Sequence, residues 1–241
     1  CHDMNAIYAN ISSYPWERGN TIRRNYFHDL GKQVFNGEAQ MNVSAVRSDN
    51  NGCGLIVTEN LFYNIGTESS NSVCGVIAEG THNVVRSNLF VDCSGTYKGM
   101  GGAYDPNAKY TDDSTINGVK VSDLKTQMNA LAPIYKETFP ELATFFDEHP
   151  RAVRTNEFCG NMVINIKAGL SAVDPDRNSE GFRGTPELVL AENNYIKAND
   201  PGLADYFADY AGGNLGLTES ARELIDGFPN IQMGDFGLLG Q

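Results

Sequence analysis

The clearest pattern along the chain is a short cycle of apolar and polar positions that returns three times. It runs Ile22-Arg23-Arg24-Asn25-Tyr26-Phe27, then Val57-Thr58-Glu59-Asn60-Leu61-Phe62, then Val85-Arg86-Ser87-Asn88-Leu89-Phe90. Each copy is aliphatic, two polar, asparagine, apolar, phenylalanine. A weaker echo runs from Phe158 to Asn165 and a weaker one still from Ala191 to Ile196, so asparagine recurs at positions 25, 60, 88, 161 and 194. Self-similarity of this kind is the signature of stacked repeats.

The copies alternate in short runs rich in Val, Ile, Thr and aromatics, which is the habit of strands rather than of helices. The unit therefore reads strand, turn, strand. Asparagine tolerates left-handed backbone and bonds neighbouring amides, so it is expected to take the bend itself. One such unit cannot bury its own inner face, so the copies must stack. Stacking puts Ile22, Val57 and Val85 on one inner wall, Phe27, Phe62 and Phe90 on another, and lines the asparagines into a ladder.

A further short strand precedes each copy, at Asn5–Tyr8, Ser44–Arg47 and Gly75–Ala78. Three strands per coil predict an all-β solenoid, a right-handed parallel β-helix. A leucine-rich repeat is disfavoured because the copies hold few leucines and no helix-forming segment. From about Val121 to His149 the period changes. Ser122-Asp123 reads as the cap of a helix carrying Leu124, Met128, Leu131 and Ile134, and Pro140 to Asp147 as a second helix with Leu142, Phe145 and Phe146. The chain thus divides into β-helix coils at 1–105, a helical insertion at 106–155, and last coils with an irregular closing tail at 156–241. The first coil opens directly into a strand, so an upstream β-helix segment or a partner chain is expected at that end.

Composition narrows the partners. The 241 residues carry a net charge of −12 with no run of Lys or Arg, which argues against nucleic acid and against anionic membranes. No apolar stretch approaches the roughly 18 residues of a membrane span. The five cysteines, at 1, 53, 74, 93 and 159, lack metal-site spacing and read as buried thiols.

The segments Asp3-Met4-Asn5-Ala6-Ile7-Tyr8, Gly19 to Asp29, His82 to Cys93, Phe139-Pro140-Glu141-Leu142 and Asp200-Pro201-Gly202 resemble the right-handed parallel β-helix proteins of the pectate-lyase-like superfamily, including family 141 glycoside hydrolases. The likeness covers nearly the whole chain but only the C-terminal half of a typical member. It implies a carbohydrate-active protein and, from its place in the first segment, an acid or nucleophile role for Asp3. Many relatives carry paired acids where this chain reads Asp49-Asn50, a departure that puts the site in question.

Glycan hydrolysis uses two carboxyl groups about 5 to 9.5 Å apart. Equivalent positions on neighbouring parallel strands lie about 4.8 Å apart, so stacked coils can bring Asp49 and Glu79 together, with Asp3 across the groove. His2 is a candidate for acid–base assistance. Tyr8 and Arg47 occupy matching outward positions and, with Trp16 and His82, are the candidate substrate-binding residues. The plainer alternative makes the acids turn residues and Trp16 and His28 packing groups. No cofactor is expected, with calcium through Asp49 and Glu79 left open although no Asp-x-Asp-x-Asp run signals it. The leading expectation is a secreted, extracellular or periplasmic glycoside hydrolase on a complex polysaccharide. A polysaccharide lyase or epimerase, and a non-catalytic glycan-binding or adhesion β-helix, stand as alternatives.

Overall fold

The computed structural model describes residues 5–10, 16–31, 43–49, 52–66, 73–100, 109–116, 118–147, 156–166, 189–197 and 202–236. Asp3 and His2 lie outside them. Three parallel sheets dominate. The first orders β1 (Asn5–Asn10), β4 (Val43–Asp49), β7 (Val73–Glu79) and β10 (Tyr97–Met100). The second orders β2 (Thr21–Arg23), β5 (Ile56–Thr58), β8 (Val84–Arg86), β13 (Asn156–Cys159) and β15 (Val189–Leu190). The third orders β3 (Tyr26–His28), β6 (Leu61–Tyr63), β9 (Leu89–Val91), β14 (Met162–Ile164) and β16 (Tyr195–Lys197). Among the described residues the chain visits the three sheets in the same order on four rungs and the second and third sheets again on a fifth, an arrangement compatible with a β-helix-like fold.

Register explains the inner walls. Ile22 pairs with Val57, Val57 with Val85, and Phe158 follows Val85. Phe27, Phe62, Phe90 and Val163 form the next column, with ring centroids 5.1 Å apart for Phe27–Phe62 and 4.6 Å for Phe62–Phe90. Phe62, Phe90 and Phe158 are fully buried. Burying one such ring is worth about 1.5–3 kcal/mol, so the aromatic column is a main source of cohesion between rungs.

The asparagines form the expected ladder. Nδ2 of Asn25, Asn60, Asn88 and Asn161 donates to Oδ1 of the asparagine one rung on, at 3.0, 3.0, 3.1 and 3.2 Å. The bend itself is made differently from the expectation. The residue before each asparagine takes the left-handed backbone: Arg24, Glu59, Ser87, Gly160 and Asn193, with φ between 55° and 61°. The asparagine Nδ2 both closes its own turn, onto the carbonyl two residues back (Arg23, Thr58 and Arg86 for Asn25, Asn60 and Asn88), and runs across to the next rung.

Two additions flank the sheets. A hairpin of β11 (Thr115–Ile116) and β12 (Val119–Lys120) leads into α1 (Val121–Asn129), α2 (Pro133–Thr138) and a 3-10 stretch at Pro140–Asp147. The helix expected through Ile134 ends earlier, because Pro133 opens a second helix and Ile134 is 68% exposed. Lys120, not Ser122, stands at the N-cap of α1, with no side-chain cap bond. Leu124, Met128, Leu142, Phe145 and Phe146 bury together against Cys53 and Trp16.

The C-terminal stretch holds a hairpin of β17 (Phe207–Asp209) and β18 (Asn214–Leu217), followed by α3 (Glu219–Arg222), which Thr218 caps. Sequence reasoning set this stretch at the end of the stack. It packs instead along the flank of the third sheet, because that sheet turns Leu61, Leu89, Val91, Met162 and Ile164 outward and Phe207, Leu215, Leu217 and Ile231 cover them.

Candidate functional site

The outer face of the first sheet gathers three of the expected residues. Strand period places Arg47 and Asp49 on one side of β4, and parallel pairing sets Tyr8 directly beside Arg47. The Arg47 guanidinium carbon lies 5.8 Å from the Tyr8 ring centroid, a cation–π contact. Its Nη2 donates to Asp49 Oδ1 at 3.2 Å, and the Tyr8 hydroxyl donates to Asp49 Oδ2. Both carboxylate oxygens are thus engaged. Tyr8 is 46% exposed while Arg47 is only 6% exposed, so the phenol ring is the surface part of the group and the guanidinium its buried support.

Glu79 is the last residue of β7 as Asp49 is of β4, and the residues just before them, Ser48 and Ala78, are register partners. The two acids therefore end adjacent strands about 4.8 Å apart. The Glu79 side chain falls outside the described residues.

Trp16 is half-buried and packs with the helical cluster. Beside it, Arg18 is fully buried at its side chain, donates to Glu141 at 2.6 Å and lies 5.7 Å from the Phe145 ring centroid. This corner joins the helical segment to the sheets. His82 stands at the turn from β7 to β8 with φ +60°, its Nδ1 2.9 Å from Thr81 Oγ1. The same corner of the two earlier rungs is held by Gly19 and Gly54, so His82 occupies a glycine position.

Sequence reasoning missed a second polar column, at the end of the third sheet. Asp29, Asn64, Asp92 and Asn165 all take left-handed backbone, with φ of 54–58°. Asn64 donates to Asp29, and Asn165 and the Tyr210 hydroxyl both donate to Asp92. Burial, then the bond to Asp92, pushes the Tyr210 phenol above its ordinary value. The signal was present: an Asp or Asn falls four residues after each ladder asparagine in four rungs. His28 is exposed, stacks on Tyr26 at 4.5 Å and sets Nδ1 2.8 Å from Asp29 Oδ2.

Among the described residues no group of three or more His, Cys, Asp or Glu stands close enough to hold a metal ion. No described helix is long and apolar enough to cross a membrane. A groove of about 420 Å³ opens in the helical segment between Lys125, Met128, Phe139 and Phe146, and none of the expected site residues lines it. Comparison with protein-family models, with curated proteins and with solved structures found no match.

Proposed function

We propose that the chain is a right-handed parallel β-helix, with the helical segment inserted on it, that acts as a glycoside hydrolase on a complex extracellular polysaccharide. The observation that carries the reading is the Tyr8–Arg47–Asp49 group at the end of β4, one strand from Glu79. Asp49 and Glu79 supply the two carboxyl groups. Their strands lie about 4.8 Å apart, which suits the roughly 5–5.5 Å carboxyl separation of retaining enzymes, in which one group attacks the anomeric carbon and the other protonates the leaving oxygen. Asp3 and His2 are the further acid–base candidates. The exposed Tyr8 ring offers a stacking face for a pyranose, and Arg47 fixes Asp49 beneath it.

A second reading is a glycan-binding β-helix without catalysis. It is favoured by the two hydrogen bonds that already occupy both Asp49 oxygens. Incubation with a panel of plant and bacterial polysaccharides separates the two. New reducing ends that disappear in Asp49→Asn and Glu79→Gln support hydrolysis, and unsaturated, ultraviolet-absorbing ends would replace it with a lyase. Retention on immobilised polysaccharide without product, lost in Tyr8→Ala, supports the binding reading.

A further inference from the structure

Lys125, Met128 and Asn129 lie three and four residues apart on one face of α1, and that face lines the groove in the helical segment. The 3-10 stretch, with Phe139 just before it, supplies most of the remaining lining. Met128, Leu142 and Phe146 are buried and make an apolar floor, and Phe139 is half-buried beside them. The volume of about 420 Å³ falls among small-molecule sites, which span roughly 300–1,000 Å³ and combine apolar walls with a few placed polar groups.

Two cations are fixed at the rim. Lys125 Nζ pairs with Asp112 Oδ1 at 2.7 Å and lies 5.9 Å from the Phe146 ring centroid, so its charge rests over the floor. Lys136 Nζ, from α2, donates to Asn129 O at 2.8 Å. Their anchor points on α1 are thus one helical turn apart, about 6 Å. An ammonium group has three donors, so each lysine keeps capacity for a further acceptor. The Lys125–Asp112 pair is exposed, 42% and 71% at the two side chains, and a ligand anion can share that cation. Asp147 is the one acid in the described lining, so the groove is net positive in a chain whose total is −12.

We propose that this groove binds a small aromatic carboxylate, its ring laid on Met128, Phe139 and Phe146 and its carboxylate bridging Lys125 and Lys136. The two phenylalanine rings and the methionine thioether favour an aromatic body over an aliphatic one. The net positive rim selects an anion, and the volume suits a molecule of roughly ten to fifteen heavy atoms. The site is separate from the Tyr8–Arg47–Asp49 group and does not depend on the glycan reading.

Nuclear magnetic resonance of the intact chain, titrated with trans-cinnamate at neutral pH, tests this at the amides of Met128, Phe139 and Phe146. Saturable shifts with a Kd of about 0.1–1 mM are expected for a ligand of this size. Cinnamamide keeps the ring and loses the charge, so it should bind at least roughly ten-fold more weakly. Acetate keeps the charge and loses the ring, and should leave the three amides unmoved. Lys136→Gln, at an exposed position, should weaken cinnamate roughly three- to ten-fold with the melting temperature unchanged, whereas Asp147→Asn should tighten it. Absence of saturable shifts up to about 10 mM overturns the proposal, including where another part of the chain already fills the groove. Cinnamamide binding as well as cinnamate, or a Lys136→Gln variant that melts and binds like the parent, overturns it equally.

Discussion

Asn88 Oδ1 stands 3.0 Å from both the backbone nitrogen and Nδ2 of Asn60, one rung away, in a position with no solvent access. Asn88 Nδ2 in turn donates to Val57 O, Arg86 O and Asn161 Oδ1 at 2.9, 3.0 and 3.1 Å. Asn88→Ala removes all five contacts and leaves the buried Asn60 N–H without an acceptor. Orphaned buried groups cost about 1–3 kcal/mol each, so a loss of roughly 3–5 kcal/mol is expected. Asn25→Ala, at the half-buried end of the same column, should cost about 1 kcal/mol, since it orphans no buried N–H. Urea unfolding of the two variants checks the gradient, and equal losses would contradict it.

The corner column Gly19, Gly54 and His82 makes a second prediction. Gly54 has φ +66°, and a Cβ there would come 2.8 Å from both Cβ and Cγ of the buried Arg18. Gly54→Ala therefore combines left-handed strain with a clash and should cost about 2–4 kcal/mol by thermal or urea unfolding. His82 carries the same strain without relief, so His82→Gly should fall within about 1 kcal/mol of the parent, as removed strain offsets added unfolded-state freedom. A large loss in His82→Gly would show that the imidazole's contacts outweigh its backbone.

These columns also show what could be read from the residues. The inner walls and the ladder were legible because stacking demands the same chemistry at the same place in every rung, as with Phe27, Phe62 and Phe90. The pairing of Tyr8 with Arg47 followed from equal offsets within matching strands. The left-handed residues were not legible, since Arg24, Glu59, Ser87, Gly160 and Asn193 share a backbone shape and no side-chain chemistry. Nor was the double engagement of Asp49, which depends on a cross-strand reach that spacing along the chain cannot give. The flank position of the C-terminal stretch was hidden for a related reason. Outward Leu61, Leu89 and Met162 look like ordinary strand residues until the rungs align them into one apolar strip that the C-terminal stretch covers.

The Arg18–Glu141 pair should respond asymmetrically. Arg18 has no side-chain exposure, whereas Glu141 keeps 27%. Removing Glu141 takes its carboxylate partner from a buried cation, and loss of one partner of a buried pair costs up to about 3–5 kcal/mol. Arg18→Met instead leaves a carboxylate that water reaches, and the methionine fills the space against Gly54 and Phe145. Glu141→Ala is therefore expected to be the more damaging change, loosening the helical segment first. Limited proteolysis within residues 109–147, alongside the melting temperature, provides the readout. Equal damage from both would place the weight on packing rather than on charge.

Alkaline pH supplies the last prediction. Burial pushes the Cys74 thiol from 9.0 up to about 12, and burial likewise raises the Tyr97 phenol. Tyr210 is raised as well, by burial and then by its bond to Asp92. Each of these groups is neutral when protonated, and its folded-state value lies above its unfolded one. Their contribution to stability is therefore complete below the unfolded value and declines as pH rises toward the folded value. For Cys74 the decline begins near pH 9 and continues to about 12, at about 1.4 kcal/mol per pH unit for one group. The two tyrosines add to the slope above pH 10. Unfolding free energy measured from pH 7 to 11 should be flat at first and then fall with increasing steepness. Cys74→Ala lowers the plateau by removing a buried group but should reduce the slope between pH 9 and 10, where Cys159, also raised by burial, keeps a contribution of its own. A variant whose curve keeps the parent's slope in that window would show that the thiol is not the group titrating there.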